Sequence, residues 1–391
     1  MKRPAVEVAD ILRVQGKRFL DRYRSSLDFQ QLKAFRAIQN CRTAALGGHL
    51  DACPECGYQA ISYNSCRNRS CPKCQTQARE RWLAAREREL LSTHYFHVVF
   101  TVPHELNLLA LENARLLYHL LFTASAATLL TVAADPQHLG AEIGILSILH
   151  TWGQNLLAHP HIHCVIPAGG IAPDRTRWVH PRYSFLLPVK VLSRVFRGKF
   201  VAGLKRLYRQ KKLRCAGPCA ALADEKQFRR WLRCLHRQDW VVYAKPAFDG
   251  PRQVLRYLGR YTHRVAISNH RLVSFDGERV TFRWKDYAHG SKQGQMTLTA
   301  TEFLRRFFLH VLPKSFVRIR HFGFLANRFR ASRLQLCRQL LTSDSLPTQP
   351  APEVTADASI WHCPRCGTVM IVIQVFTVEQ LPSRCSYFDS S

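Results

Sequence analysis

Acidic residues are scarce in this chain. Its 391 residues hold 27 Asp and Glu against 57 Lys and Arg, a formal charge of +30. That scarcity works against chemistry built on a triad of metal-binding carboxylates, and no spaced Asp/Asp/Glu set stands out. Long apolar runs are missing as well. None reaches the roughly 18 residues of a membrane span, and no signal-peptide core follows Met1-Lys2-Arg3-Pro4. The expectation is a protein inside the cell with no membrane partner. Internal repeats are absent, which excludes a solenoid. The regular strand–helix alternation of a doubly wound sheet is also lacking, so the expected class is α+β.

What is present points elsewhere. Hydrophobic residues make up 47% of the chain, enough for a folded core, and the length suits two or three domains. A large folded chain with this basic excess suits nucleic acid, where phosphate contacts release counterions. Fourteen cysteines in an intracellular setting suggest metal ligands rather than disulfides.

Hydrophobic periodicity predicts helices over 5–40, 79–91, 105–131, 188–213, 225–236, 251–261, 301–310 and 326–341. Strands are expected at 95–102, 143–152, 161–167, 240–244, 272–285 and 295–299. The proline-bearing segment 342–359 reads as a linker. The domains expected are a helix and zinc-binding module over 1–92, a catalytic domain over 93–341, the linker, and a tail over 360–391 with one Cys-x-x-Cys knuckle.

Two knuckles stand near the start, Cys53-Pro54-Glu55-Cys56 and Cys71-Pro72-Lys73-Cys74, with fourteen residues between them. Four thiolates at this spacing suit a tetrahedral structural zinc. Cys41, His49 and Cys66 are candidates for a second zinc. Arg67 and Arg69 beside them suit phosphate contacts. The late knuckle Cys363-Pro364-Arg365-Cys366 has only His362 and Cys385 near it in sequence.

The run His159-Pro160-His161-Ile162-His163 precedes an apolar stretch. In a strand, His161 and His163 share one face about 7 Å apart, close enough to converge on one metal ion. The alternative is a pair of ordinary histidines at a strand end. Gln154 and His159 are candidate third ligands, and His150 and His263 are further candidates.

Downstream, Tyr257 and Tyr261 lie four residues apart in a predicted helix, among Arg256, Arg260, His263 and Arg264. They suit either an apolar stripe or a reactive pair. Joined to the histidines, they suggest a chemistry. A metal polarises a scissile phosphate and a tyrosine attacks it, giving a covalent phosphotyrosine and a free 3′-hydroxyl.

These blocks match a family. The chain resembles the two-tyrosine HUH transposases of insertion-sequence family ninety-one. The resemblance rests on Cys41–His49, Tyr63–Gln75, His150–Gln154, His159–His163, Tyr257–Asn269, His310–Lys314 and Arg318–Gly323. It implies an HUH nuclease domain with a central antiparallel sheet flanked by helices, preceded by a small helical and zinc-ribbon-like domain. His161 and His163 match the metal-binding pair, and Tyr257 and Tyr261 the nucleophiles. Arg256, Arg260 and Arg264 are expected at DNA. It implies single-stranded DNA at mobile-element ends and target DNA as partners. Structural zinc and catalytic magnesium or manganese are the implied cofactors, in a bacterial cytoplasm with nucleoid association when DNA is bound. Ser70 departs from the family, standing where a histidine is expected. Two other readings share some of these features: an HUH replication initiator or relaxase, and a non-catalytic zinc-containing nucleic-acid-binding protein.

Overall fold

The computed structural model describes residues 4–248, 253–254, 259, 265–286, 292–342 and 361–377. Two interleaved units divide it. One comprises 1–77, 267–311 and 348–391, the other 78–266 and 312–347. The sequence reading divides the chain consecutively instead. Interleaving arises because strands and helices far apart in sequence pack together.

In the first unit, α1 (Val8–Tyr23) buries Val8, Ile11, Leu12, Gln15 and Phe19 along one stripe. A capping box between Glu7 and Asp10 starts it. Asp28 caps α2 (Phe29–Gln39) the same way with Gln31. Phe19 meets Phe35 with ring centroids 6.2 Å apart and Phe308 at 5.6 Å. Gly16 permits this approach, since a Cβ there would lie 2.8 Å from the Phe35 ring. Phe308 ends α8 (Ala300–Phe308), which draws a remote segment into the unit. The antiparallel sheet of β9 (Leu272–Phe275), β10 (Arg279–Asp286) and β11 (Lys292–Thr299) precedes that helix. A second small sheet has the order β13 (Ile371–Phe376), β1 (Gly48–Ala52), β2 (Gln59–Tyr63), all antiparallel. None of these last three strands was expected from sequence.

The second unit is built on a five-stranded antiparallel sheet. Its order is β12 (Ile319–Gly323), β4 (Gly144–Trp152), β5 (Ala158–Pro167), β3 (Tyr95–Thr101), β8 (Val242–Phe248). Side-chain alternation sorts the two faces. Phe96, Val98, Phe100, Ile145, Leu149, Ile162, Cys164 and Ile166 belong to the main core, with α5 (Ala114–Ala134) and α6 (Val189–Arg209). Tyr95, Leu146, Ile148 and Val165 take the other face, packed with Trp82 and Leu83 of α3 (Gln75–Glu87) and with Val254. The α+β expectation with a central antiparallel sheet is met.

Three local details depart from the expectations. The helix expected at 105–131 divides into α4 (Asn107–Glu112) and α5. At the break, the Asn113 side chain bonds both N–H and C=O of Arg214, at 2.8 and 2.9 Å. Second, α5 is long and apolar enough to cross a membrane, although no run of that kind was expected. However, 67% of its most apolar window is buried inside the fold, as in a core helix. Third, β5 runs through Pro160. A register shift between His150 and Trp152 of the neighbouring strand falls at this level.

Candidate metal centres

His150 and His161 stand directly opposite each other across β4 and β5. His163 follows two residues on and therefore shares their face. The three imidazoles converge, with their ligand atoms all within 4.8 Å of one another. Ring centroids lie 4.5 Å apart for His150 and His163, and 4.8 Å for His161 and His163. His150 and His163 are buried while His161 is partly open. The cluster therefore has a rigid sheet as its floor and one accessible member.

Hydrogen bonds orient two of these rings. His161 Nδ1 lies 2.6 Å from the His159 carbonyl oxygen, so Nδ1–H donates and Nε2 keeps its lone pair. His163 Nδ1 lies 2.9 Å from His97 Nε2. Burial, then the charge of Lys245 and His161, pulls the His97 pKa down to about 3. His97 is therefore neutral at ordinary pH, and its Nε2 can accept from His163 Nδ1–H. In that tautomer His163 Nε2 carries the lone pair, as a metal ligand requires. The donor set, three imidazole nitrogens that ligate in their neutral form, suits manganese or another transition metal better than magnesium.

Of the third-ligand candidates, His150 joins the cluster. His159 is exposed and contributes its backbone carbonyl. Gln154 lies in the turn between β4 and β5. Sequence reasoning passed over His97. Its signal was a histidine on the face of β3 that also carries Tyr95, Val99 and Thr101. Tyr257, Tyr261, Arg256, Arg260, His263 and Arg264 lie outside the described residues. Val254 and Gly259 beside them are helical. Val254 is fully buried against Leu146, Ile148 and Val165. Ile148 is the cross-strand partner of His163, so Val254 packs on the histidine-bearing face of the sheet. A Cβ on Gly259 would touch Leu83 at 3.0 Å.

The cysteines partition differently from the expected foursome of Cys53, Cys56, Cys71 and Cys74. Cys41 and Cys66 join Cys71 and Cys74, while Cys53 and Cys56 meet Cys363 and Cys366. In the first group, Sγ separations are 3.5 Å for Cys41–Cys74 and 3.6 Å for Cys66–Cys74 and Cys41–Cys71. A tetrahedron with Zn–S bonds of about 2.3 Å has edges of about 3.8 Å, so the pocket fits zinc. Hydrogen bonds from Cys41, Cys66 and Cys71 hold the Cys74 thiol far below its usual pKa. Those from Cys66 and Cys71 bring Cys41 down to about 7. His49 lies elsewhere: its Nε2 is 3.4 Å from Asp51, which also accepts from the Ser62 hydroxyl at 2.7 Å. Arg67 is exposed beside the cluster, whereas Arg69 is half-buried and its pKa is lowered by that burial.

Comparisons with known proteins agree on one class. Residues 144–333 match a family model described as "Putative transposase". Residues 11–102 match one described as "Transposase zinc-binding domain". A relative from Sinorhizobium fredii, "Putative transposase y4qJ", is 51% identical, covering 98% of this chain and 99% of its own length. The "Transposase for insertion sequence element IS801" of Pseudomonas savastanoi pv. phaseolicola is 28% identical, over 87% of this chain and 83% of its own length. No solved structure matches.

Proposed function

Starting from a chain that belongs to the transposases of insertion-sequence family ninety-one, we propose that it nicks single-stranded DNA at element ends and transfers strands through a covalent 5′-phosphotyrosine. The family carries a DNA strand-cleaving and transferring activity. Its transposase class leaves the initiator, relaxase and purely binding alternatives without an observation in their favour. The zinc-domain match and the cysteine clusters support structural zinc, with Cys41, Cys66, Cys71 and Cys74 as one ligand set.

The observation that carries the catalytic reading is the histidine cluster on the sheet face against which Val254 packs. His150, His161 and His163 would hold a divalent ion, which when bound supplies Lewis-acid polarisation of a scissile phosphate. Tyr257 and Tyr261 fall three and seven residues beyond Val254 in sequence. The phenolic oxygen attacks phosphorus, a P–O(Tyr) bond forms and the P–O3′ bond breaks. The phenol proton leaves to solvent, and the departing 3′-oxygen gains one to become a free hydroxyl. A second 3′-hydroxyl then reverses the step on a new strand, releasing tyrosine and conserving the phosphodiester. Two tyrosines allow two such transfers in one site. Arg256, Arg260 and Arg264 lie beside them in sequence and supply cations for phosphates. Arg67 offers another from the zinc module. These activities place the protein with DNA inside a bacterial cell.

The test uses purified protein, labelled single-stranded DNA carrying an element end, and manganese or magnesium. A covalent adduct is expected, lost with chelator and lost in Tyr257→Phe/Tyr261→Phe. DNA binding without any adduct, with either ion and a folded protein, would refute the reading.

A further inference from the structure

The first knuckle and the last are structural twins. Each reads Cys-Pro-x-Cys-Gly: Cys53-Pro54-Glu55-Cys56-Gly57 and Cys363-Pro364-Arg365-Cys366-Gly367. Each turn closes on a glycine of positive φ, +69° at Gly57 and +79° at Gly367. Gly57 N–H donates to Cys53 C=O at 3.1 Å, and Gly367 N–H to Cys363 C=O at 2.9 Å. Cys53 N–H donates to Tyr58 C=O at 2.8 Å, and Cys363 N–H to Thr368 C=O at 2.7 Å. Such repetition of a backbone turn presents two sulfurs from each side toward one point.

The sulfurs do meet. Cys53 and Cys366 are 3.3 Å apart, Cys56 and Cys363 3.5 Å, and Cys56 and Cys366 3.6 Å. These are too long for a disulfide of about 2.05 Å and near the tetrahedral edge of a four-thiolate zinc site. Met370, Tyr58 and Trp361 pack with Cys53 and Cys363 in a small shared core. The strand β1 runs directly into Cys53, and β13 leaves the other knuckle to pair with β1. Sheet and sulfurs therefore hold the same two segments. The matched zinc domain ends at residue 102, so Cys363 and Cys366 lie outside it.

We propose that Cys53, Cys56, Cys363 and Cys366 bind a second structural zinc, a ribbon site assembled from segments some 300 residues apart. Its role is to fix β13 onto β1 and so complete the zinc-binding unit with a segment that follows the catalytic one in sequence.

The test reads cysteine reactivity in the full-length protein loaded with zinc. Thiol alkylation is followed by mass spectrometry while a chelator removes metal stepwise. Cys53, Cys56, Cys363 and Cys366 should lose protection together, as one set distinct from Cys41, Cys66, Cys71 and Cys74. Protection of Cys363 and Cys366 tracking Cys71 and Cys74, or no protection at all, would overturn the proposal. Zinc content gives a second readout. In a His150→Ala/His161→Ala/His163→Ala background, where the histidine cluster can hold no zinc, two ions per chain are expected for the parent, and one for C53S/C56S or for C363S/C366S. The quadruple variant should also keep one, because both pairs share an ion. A parent with one zinc, or C363S/C366S with two, would overturn it too.

Discussion

His97 contacts no substrate atom in the proposed chemistry, yet it fixes the ring of His163 through a 2.9 Å nitrogen–nitrogen contact. Removing such a partner of a ligating histidine typically costs 10- to 100-fold in metal affinity, roughly, because ring orientation and tautomer are released. His97→Ala should weaken manganese binding in that range in a calorimetric titration, while affinity for DNA stays within about twofold. His97→Gln, whose amide oxygen can accept from His163 Nδ1–H, should recover part of the loss. The same residue sets a pH dependence. Burial lowers its folded pKa from the ordinary 6.5 to about 3, so between those values the unfolded chain binds a proton that the fold refuses. Its contribution to stability is thus intact above about pH 6.5 and declines as pH falls toward 3. The slope approaches roughly 1.4 kcal/mol per pH unit for one proton. Urea midpoints measured from pH 7 down to 4 should fall more steeply in the parent than in His97→Phe.

Elements were legible where their physics is local. The histidine strand was readable because period-two alternation puts His161 and His163 on one face whatever surrounds them. The long apolar helix and the aromatic strand at 95–102 were readable from local composition, a mostly apolar run in one and aromatic and β-branched residues in the other. What failed was non-local. Five-residue strands such as β12 and β1 carry too few residues for a period, and exist because a neighbour supplies their hydrogen bonds. His150 as a cluster member depended on cross-strand register, which no spacing encodes. One tie between elements is the buried pair Lys73–Glu7, 2.6 Å long, joining the second cysteine knuckle to the capping residue of α1. Lys73→Ala would leave the Glu7 carboxylate buried without its cation. A loss of about 3 kcal/mol or more is expected, seen as a lower thermal midpoint with zinc present. Glu7→Ala combined with it should cost less than the sum of the two single changes.

At the scale of the whole molecule, charge and chain path matter most. With a formal charge of +30, the expectation is that phosphate contacts supply most of the affinity for DNA. Binding of single-stranded DNA, followed by fluorescence anisotropy, should weaken log-linearly with salt, with a slope of about −0.7 per phosphate contacted. A flat response would mean that base stacking carries the affinity instead. Cysteine spacing marked out the knuckles as pairs but not which pairs come together, since several partitions satisfy the same local pattern. The observed partition depends on β13 reaching β1. That pairing has a consequence for how the protein is made. Residues leave the ribosome at roughly 5–20 per second, and 307 positions separate Cys56 from Cys363. For some 15–60 seconds, roughly, the nascent chain carries β1 with one edge open and a knuckle that has only half its partners. A message that ends early, before residue 376, would leave that edge open for good. Such a product should aggregate during synthesis, even with the histidine-bearing unit already folded.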